Sequence, residues 1–232
     1  MSSYLLALDA SSSACSAALI RAQGDHRECL ARFEHTPRAH TQRLMPMIDE
    51  VLGEAGIGPK ALSGIAYGHG PGSFTGLRIA AGTAQGLAFG LDCPLVGVST
   101  LEALALQAHR RYHFRHIVTA LDARMSEVYT AVWHCHQDNA RLVSNERVVA
   151  PACVRLPATQ TDWVGVGSGF ALWEQFDALL KEGMTQHLSD LEPRAEEMAW
   201  IGLRELEAGA GRAPIEVQPV YLRNDVAWKK PA

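Results

Sequence analysis

The chain has no CxxC pair, no GxxxxGK[ST] loop, no GxSxG elbow and no apolar run long enough to cross a bilayer. Each absence narrows what the protein can be. The five cysteines (Cys15, Cys29, Cys93, Cys135 and Cys153) are scattered and odd in number. That excludes a disulfide framework or a thiolate zinc site and points to a reduced, cytoplasmic protein. The missing Walker loop excludes P-loop nucleotide binding, and the missing elbow removes the usual mark of a serine hydrolase. No stretch approaches the roughly 18–20 apolar residues of a spanning helix. The opening "MSSYLLALDASSS" lacks a basic region ahead of its short apolar run, so no signal peptide is expected. A basic excess is lacking too. The formal net charge is -4, unlike that of a free-standing nucleic-acid binder, although a subunit of a complex acting on RNA need not carry the positive charge itself.

Apolar residues, at 47% of the 232, are plentiful. They suffice for a sizeable core in one large domain or two lobes. Residues 4–9, "YLLALD", read as a buried strand, and "ACSAALIR" after the turn "ASSS" reads as its hairpin partner. A third strand is expected near 28–34. Apolar positions at Leu44, Met47, Ile48, Val51, Leu52 and Ala55 give a helical stripe over 41–55, with Pro46 predicting a kink or a late start. "ALSGIAYGHG" is a strand entering a glycine loop. A helix over 75–91, a strand in "CPLVGVST" and a helix from Thr100 to about Tyr112 follow. The plan then repeats. "IVTALDARMSEVYTAVW" (117–133) is again strand, Asp, turn, strand, and "ALDA" recurs at 7–10 and 120–123. "WVGVGSGFALWEQF" (163–176) again reads as strand, glycine turn, helix. A repeated order of elements predicts a duplicated α/β architecture.

The loop "GHGPGSF" has glycines two apart, unlike GxGxxG. Asp9, Gly70, Gly72, Ser73 and Asp122 are its candidate nucleotide or anion residues, since a strand–loop–helix unit can aim backbone N–H groups at an anion. The competing reading is a tight turn, with Asp9 and Asp122 capping two hairpins. In the helix that follows, Leu77, Ala80, Ala81, Ala84, Leu87, Ala88 and Leu91 form one apolar face, while Gly82, Gly86 and Gly90 lie opposite. Each interior glycine costs roughly 0.8–1 kcal/mol against alanine. A face without side chains lets another backbone come close. That neighbour is either helix 41–55 or a partner. The histidines of "HRRYHFRH" sit among Arg110, Arg111 and Arg115, which repel a cation, and His134 and His136 show no third ligand nearby.

These motifs carry a resemblance. "LLALDASSSACSAAL", "AHTQRLMPMIDEVL", "GPGSFTGLRIAAGTAQGLAFG", "GVSTLEALA", "LDARMSEVYTAVW" and "PVYLR" resemble the bacterial TsaB (YeaZ) family over almost the whole chain. The resemblance implies the duplicated two-lobe, actin-like/Hsp70-like α/β fold of the acetate kinase–Hsp70–actin superfamily. The lobes are expected at 1–104 and 105–190, with 191–232 a C-terminal helix and tail packing back on the first lobe. It also implies a non-catalytic role in threonylcarbamoyl modification of the adenosine beside the anticodon, in tRNAs reading codons that begin with A. The implied partners are a TsaD-like catalytic paralogue, a TsaE-like ATPase and, when alone, a second copy, with tRNA met only through the complex. TsaD-like proteins bind a metal through two histidines. Counted from the GPG motif, those positions hold Thr100 and Leu104 here, so no metal or other cofactor is expected, beyond room for weak nucleotide binding. The expected partner surface comprises Thr41, Arg43, Met45, Leu77, Arg78, Gly82 and Gly86. The alternative is an enzyme of the same fold, either a glycoprotease-like metallopeptidase or an ATPase.

Overall fold

The computed structural model describes residues 2–157 and 162–223. The first sheet grows from Ser3–Asp9 (β1), whose residues Leu5 to Asp9 are all buried because it is the middle strand, covered on both faces. It pairs antiparallel with Ala14–Gln23 (β2) and parallel with Gly64–Gly70 (β4). His26–His35 (β3) and Leu95–Ser99 (β5) are the edges, giving the order β3-β2-β1-β4-β5. The second sheet is built from His116–Asp122 (β6), Val128–His136 (β7), Asn139–Val149 (β8), Trp163–Val166 (β9) and Met184–Leu188 (β10). Its order, β10-β9-β6-β7-β8, is the first sheet's order repeated: hairpin partner and edge on one side of the founding strand, two parallel strands on the other. The duplication expected from the sequence is therefore present, and the fold is the two-lobe, actin-like α/β fold.

The helices fill the layers between and outside the sheets. His40–Glu54 (α1) and Phe74–Leu91 (α2) cover one face of the first sheet, through Leu44, Ile48, Ala80 and Ala84 among others. The α1 helix begins at His40 and carries Pro46 inside it, so the proline does not delay the start. Pro46 is exposed, where water can take up the carbonyl that proline leaves without a donor. Thr100–Tyr112 (α3) sends Leu101, Leu104, Ala105 and Ala108 into the core of the second sheet and Ala103 and Leu106 toward the first. Ala195–Glu207 (α5) lays Met198, Ala199 and Ile201 on the first sheet against Leu5, Ala7 and Ala66. The two lobes thus exchange helices across their interface. The stretch after β9 differs from the expected helix. It is a run of 3-10 turns over Ser168–Gln175, followed by the short helix Ala178–Glu182 (α4).

Beyond α5 the chain returns along the first lobe. Arg212 exchanges backbone hydrogen bonds with Leu95 at 2.9 and 3.0 Å, and the Gln85 side chain donates to the Val217 carbonyl at 2.8 Å. Val220 N–H donates to the His69 carbonyl at 2.8 Å. The chain then crosses to the second lobe, where Arg223 meets Glu127 at 2.6 Å and the Ala123 carbonyl at 3.0 Å. Residues 224–232 of the expected tail lie outside the described residues.

Candidate functional site

Two regions compete: the glycine loop with its aspartates, and the outer faces of α1 and α2.

At the loop, a phosphate would need free N–H groups in the β1–β2 turn and at the start of α2. Ser73 caps α2, its hydroxyl accepting from the Gly76 N–H, and its own N–H donates to the Ser11 carbonyl at 2.7 Å. A Cβ on Gly72 would stand 2.6 Å from that same carbonyl, and one on Gly76 would overlap the Ala10 carbonyl oxygen. These glycines let two backbones touch, so the space a phosphate would take is filled by the chain itself. The serine hydroxyls of the turn are engaged as well. Ser12 and Ser13 donate to the two oxygens of Glu192 at 2.7 and 2.5 Å. Gly70, at φ +121°, is used by the tail, since a Cβ there would lie 2.7 Å from the Val220 carbonyl. The residues present do not fit a bound phosphate.

The aspartates close their own turns. Asp9 accepts from the Ser11 N–H at 3.2 Å and the Ser11 hydroxyl at 3.0 Å. Asp122 accepts from the Arg124 N–H at 2.8 Å and pairs with the Arg124 guanidinium at 3.3 Å. Asp9 and Asp122 share no hydrogen-bond or ion-pair partner among the described residues. Asp9 is 1% exposed, and its Oδ1 has no partner among those residues. Burial, with Glu192 nearby, pushes its carboxyl up to about 7 against the pull of the Ser11 hydrogen bonds. Burial and the neighbouring Glu196 push Glu197 of α5 to about 7 likewise.

A carboxyl raised in the fold keeps its proton where the unfolded chain has lost it. Between 3.8 and about 7 the native state therefore binds more protons through Asp9, and its stability falls as pH rises through that window. Asp9→Asn is expected to melt above the parent at about pH 8 and to lose most of that margin at about pH 5. Melting followed by circular dichroism decides it. A margin that does not change with pH would mean that Asp9 is ionised in the fold.

The positions matched to metal histidines also do not fit a metal. Thr100 is buried and its hydroxyl donates to the Pro71 carbonyl, while Leu104 belongs to the second core. Among the described residues no three His, Cys, Asp or Glu side chains converge as a ligand set, and no helix is long and apolar enough to cross a membrane.

The outer face of α2 is different. A Cβ on Gly82, Gly86 or Gly90 would meet none of the described residues within 4 Å. Helix α1 lies beside α2 but does not cover this row, so among the described residues the row is open surface. The row is framed by two aromatic rings, Phe74 (53% exposed) and Phe89 (83%). Phe74 is held by the Arg78 guanidinium, 3.3 Å from its ring centre, and by Tyr221 of the tail at 5.7 Å. On α1, Thr41 and Met45 are exposed, and Arg43 is fixed by Glu34 and Glu50, each at 2.6 Å. Leu77 is separate from this group: at 1% exposure it faces the core. Phe89, Tyr221 and Glu192 escaped the sequence reading. Phe89 gave the one available signal, an aromatic ring on α2 away from the apolar stripe.

The comparisons with known proteins fall on one family. A family model described as TsaD, tRNA N6-adenosine threonylcarbamoyltransferase, matches residues 34–209. The protein named tRNA threonylcarbamoyladenosine biosynthesis protein TsaB in Escherichia coli is 38% identical, over 97% of each chain. The Bacillus subtilis protein of the same name is 31% identical over 94% of this chain and 93% of its own. The chain belongs to the TsaB family. The Pseudomonas aeruginosa structure described as YeaZ is similar to it at a TM-score of 0.87 and 39% identity, covering 95% of this chain and all of that one. The Escherichia coli and Bacillus subtilis relatives are named as biosynthesis proteins of tRNA threonylcarbamoyladenosine. The transferase description belongs to the broader family model.

Proposed function

We propose that this chain is a non-catalytic subunit for threonylcarbamoyl modification of the adenosine beside the anticodon, in tRNAs reading codons that begin with A. It works in the cytoplasm by holding a TsaD-like catalytic paralogue, alongside a TsaE-like ATPase, and meets tRNA only through that complex. The observation that carries this is the bare glycine row of α2. Three glycines in one helix cost roughly 2–3 kcal/mol of helix propensity, and none of the described residues uses the space they leave. A second backbone packed on that row would use it, with Phe74 and Phe89 as anchors at its ends. Aromatic anchors around a closely packed centre are the usual energetic core of a protein interface. Thr41, Arg43 and Met45 of α1 and Arg78, Gly82 and Gly86 of α2 are the proposed contact residues, with Leu77 supporting them from beneath. Without the paralogue, the same face pairs with a second copy.

The packing of the glycine loop and the side chains at 100 and 104 support a non-catalytic role. The loop that would cradle phosphate is packed against Ala10 and Ser11, and Thr100 and Leu104 offer no imidazole. Purified chain is expected to form a stable complex with a TsaD-like protein on size exclusion. It is expected to hydrolyse no ATP alone, with or without added divalent metal. Threonylcarbamoyladenosine formation in a reconstituted mixture should require both proteins. Metal-dependent ATP turnover by the isolated chain would favour the enzymatic alternative, and modification proceeding without it would remove the subunit role.

A further inference from the structure

The first sheet ends at β5, which has a strand neighbour on one side only. An open edge invites pairing with another chain, and proteins usually blunt it. Here it is blunted at a single point. Leu95 exchanges both backbone hydrogen bonds with Arg212, an antiparallel bridge one residue long. Backbone groups alternate sides along a strand, so Gly97, two residues on, also aims its N–H and C=O outward. Neither has a hydrogen-bond partner among the described residues. In antiparallel register the residues before Arg212 would lie beside Val96–Ser99, yet Leu95–Arg212 is the one bridge to this edge among the described residues, and the chain after Arg212 turns away through a 3-10 turn, Pro214–Glu216.

That uncovered edge opens into a cavity of about 490 Å³. Ile201 and Glu205 of α5 and Glu102 of α3 form one wall, and His69 and Val217 form the other. A chain laid along the edge would be covered on both faces, as the inner strands are. From Val96 to Ser99 the free length is about 10 Å, three to four residues of extended chain. The surroundings are acidic. Glu102, Glu205 and Glu216 line the cavity with Arg212 as its one lining cation, and Glu146 adds a carboxylate bonded to Ser99. Arg204 bridges Glu102 at 2.9 Å and Glu205 at 3.0 Å. Four carboxylates therefore face two guanidiniums.

We propose that the outer edge of β5 is a docking slot for a short, extended, basic segment of a partner protein. The segment adds as a sixth, antiparallel strand. It continues the Leu95–Arg212 bridge onto the backbone of Gly97 and sets a Lys or Arg side chain beside Glu205 and Glu102. Main-chain pairing supplies affinity and the acidic wall supplies selection, as in strand-addition complexes generally. The slot is independent of the α1–α2 contact, so the two stand or fall separately.

The test uses the full chain and a labelled hexapeptide, Thr-Lys-Val-Arg-Val-Thr, read by fluorescence anisotropy and by the assigned Gly97 amide resonance. The expected result is saturable binding below about 1 mM that shifts the Gly97 amide. Methylating alternate peptide nitrogens, or replacing Lys and Arg with Glu, should weaken binding at least about tenfold. Glu205→Arg, checked for an unchanged melt, should do the same, whereas Gly86→Leu should bind like the parent. No saturation by about 1 mM overturns the slot. So does binding that ignores backbone methylation, or that leaves the Gly97 amide in place, because the peptide would then be held as a surface cation and not as a strand.

Discussion

Gly76→Ala is expected to lower the melting temperature by about 10 °C or more, or to prevent folding outright, while Gly82→Ala, six residues along the same helix, should raise it by a few degrees. The contrast comes from what a methyl group would meet. At position 76 it would overlap the Ala10 carbonyl oxygen, with the Ala10 carbonyl carbon only 3.0 Å away. Both are backbone, so relief requires α2 to lift off the β1–β2 turn and break the Ser73–Ser11 hydrogen bond of 2.7 Å. A displaced helix loosens Ala80, Ala84 and Ala88 from the first core. Core disruption of that kind costs about 3–5 kcal/mol, and each kcal/mol is worth about 2–4 °C in a chain of this size. At position 82 a methyl meets open space, and the substitution recovers up to about 1 kcal/mol of helix propensity. Thermal melts of the two variants decide the matter. Equal melting temperatures would mean that the tight approach of α2 to the hairpin is not a constraint on the fold.

That comparison also shows what the sequence can and cannot say. Every glycine in "GPGSFTGLRIAAGTAQGLAFG" looks alike on paper. The apolar stripe at Leu77, Ala80, Ala81, Ala84 and Ala88 identifies the buried side, because 3.6-residue periodicity is a local property. It does not tell which glycines touch backbone and which touch nothing, because their neighbours, Ala10 and Ser11, are more than sixty residues away in the chain. The duplication was legible because both hairpins keep a buried founding strand and an Asp at its end. Strand β8 was not legible. It is an edge strand, only Ala140 of its eleven residues is buried, and its pairing with β7 is interrupted by register shifts, so it offers no clean alternation. The second helix failed for a related reason. After Gly167 the chain folds its glycines tightly over Ala120 and Asp177 starts a new cap, leaving room for 3-10 turns only. The anion loop was legible as a loop but not as a filled one. Glu192, which takes the serine hydroxyls of the hairpin, lies 180 residues from Ser12.

Gly86→Leu is expected to fold as well as the parent and to lose its partner. Position 86 is exposed and a Cβ there meets none of the described residues, and leucine is a better helix former than glycine by about 0.8 kcal/mol. At a protein concentration too low for pairing with a second copy, the isolated chain should therefore melt at or slightly above the parent temperature. In the proposed complex the same side chain sits between two backbones that glycine allows to touch. Overfilling a packed centre costs about 1–3 kcal/mol, which corresponds to a complex weaker by roughly fivefold to 150-fold. Ala84→Leu is the internal control. Ala84 is fully buried under the first sheet, so the added bulk should lower the melting temperature by about 2–10 °C and weaken assembly only through lost folded protein. The measurements are thermal melting of each variant alone and titration with a TsaD-like protein, normalised to the folded fraction. If Gly86→Leu binds with the parent's affinity, the glycine row is not the contact. The search then moves to Thr41 and Met45 on the exposed side of α1, where the aromatic frame of Phe74 and Phe89 would have no role.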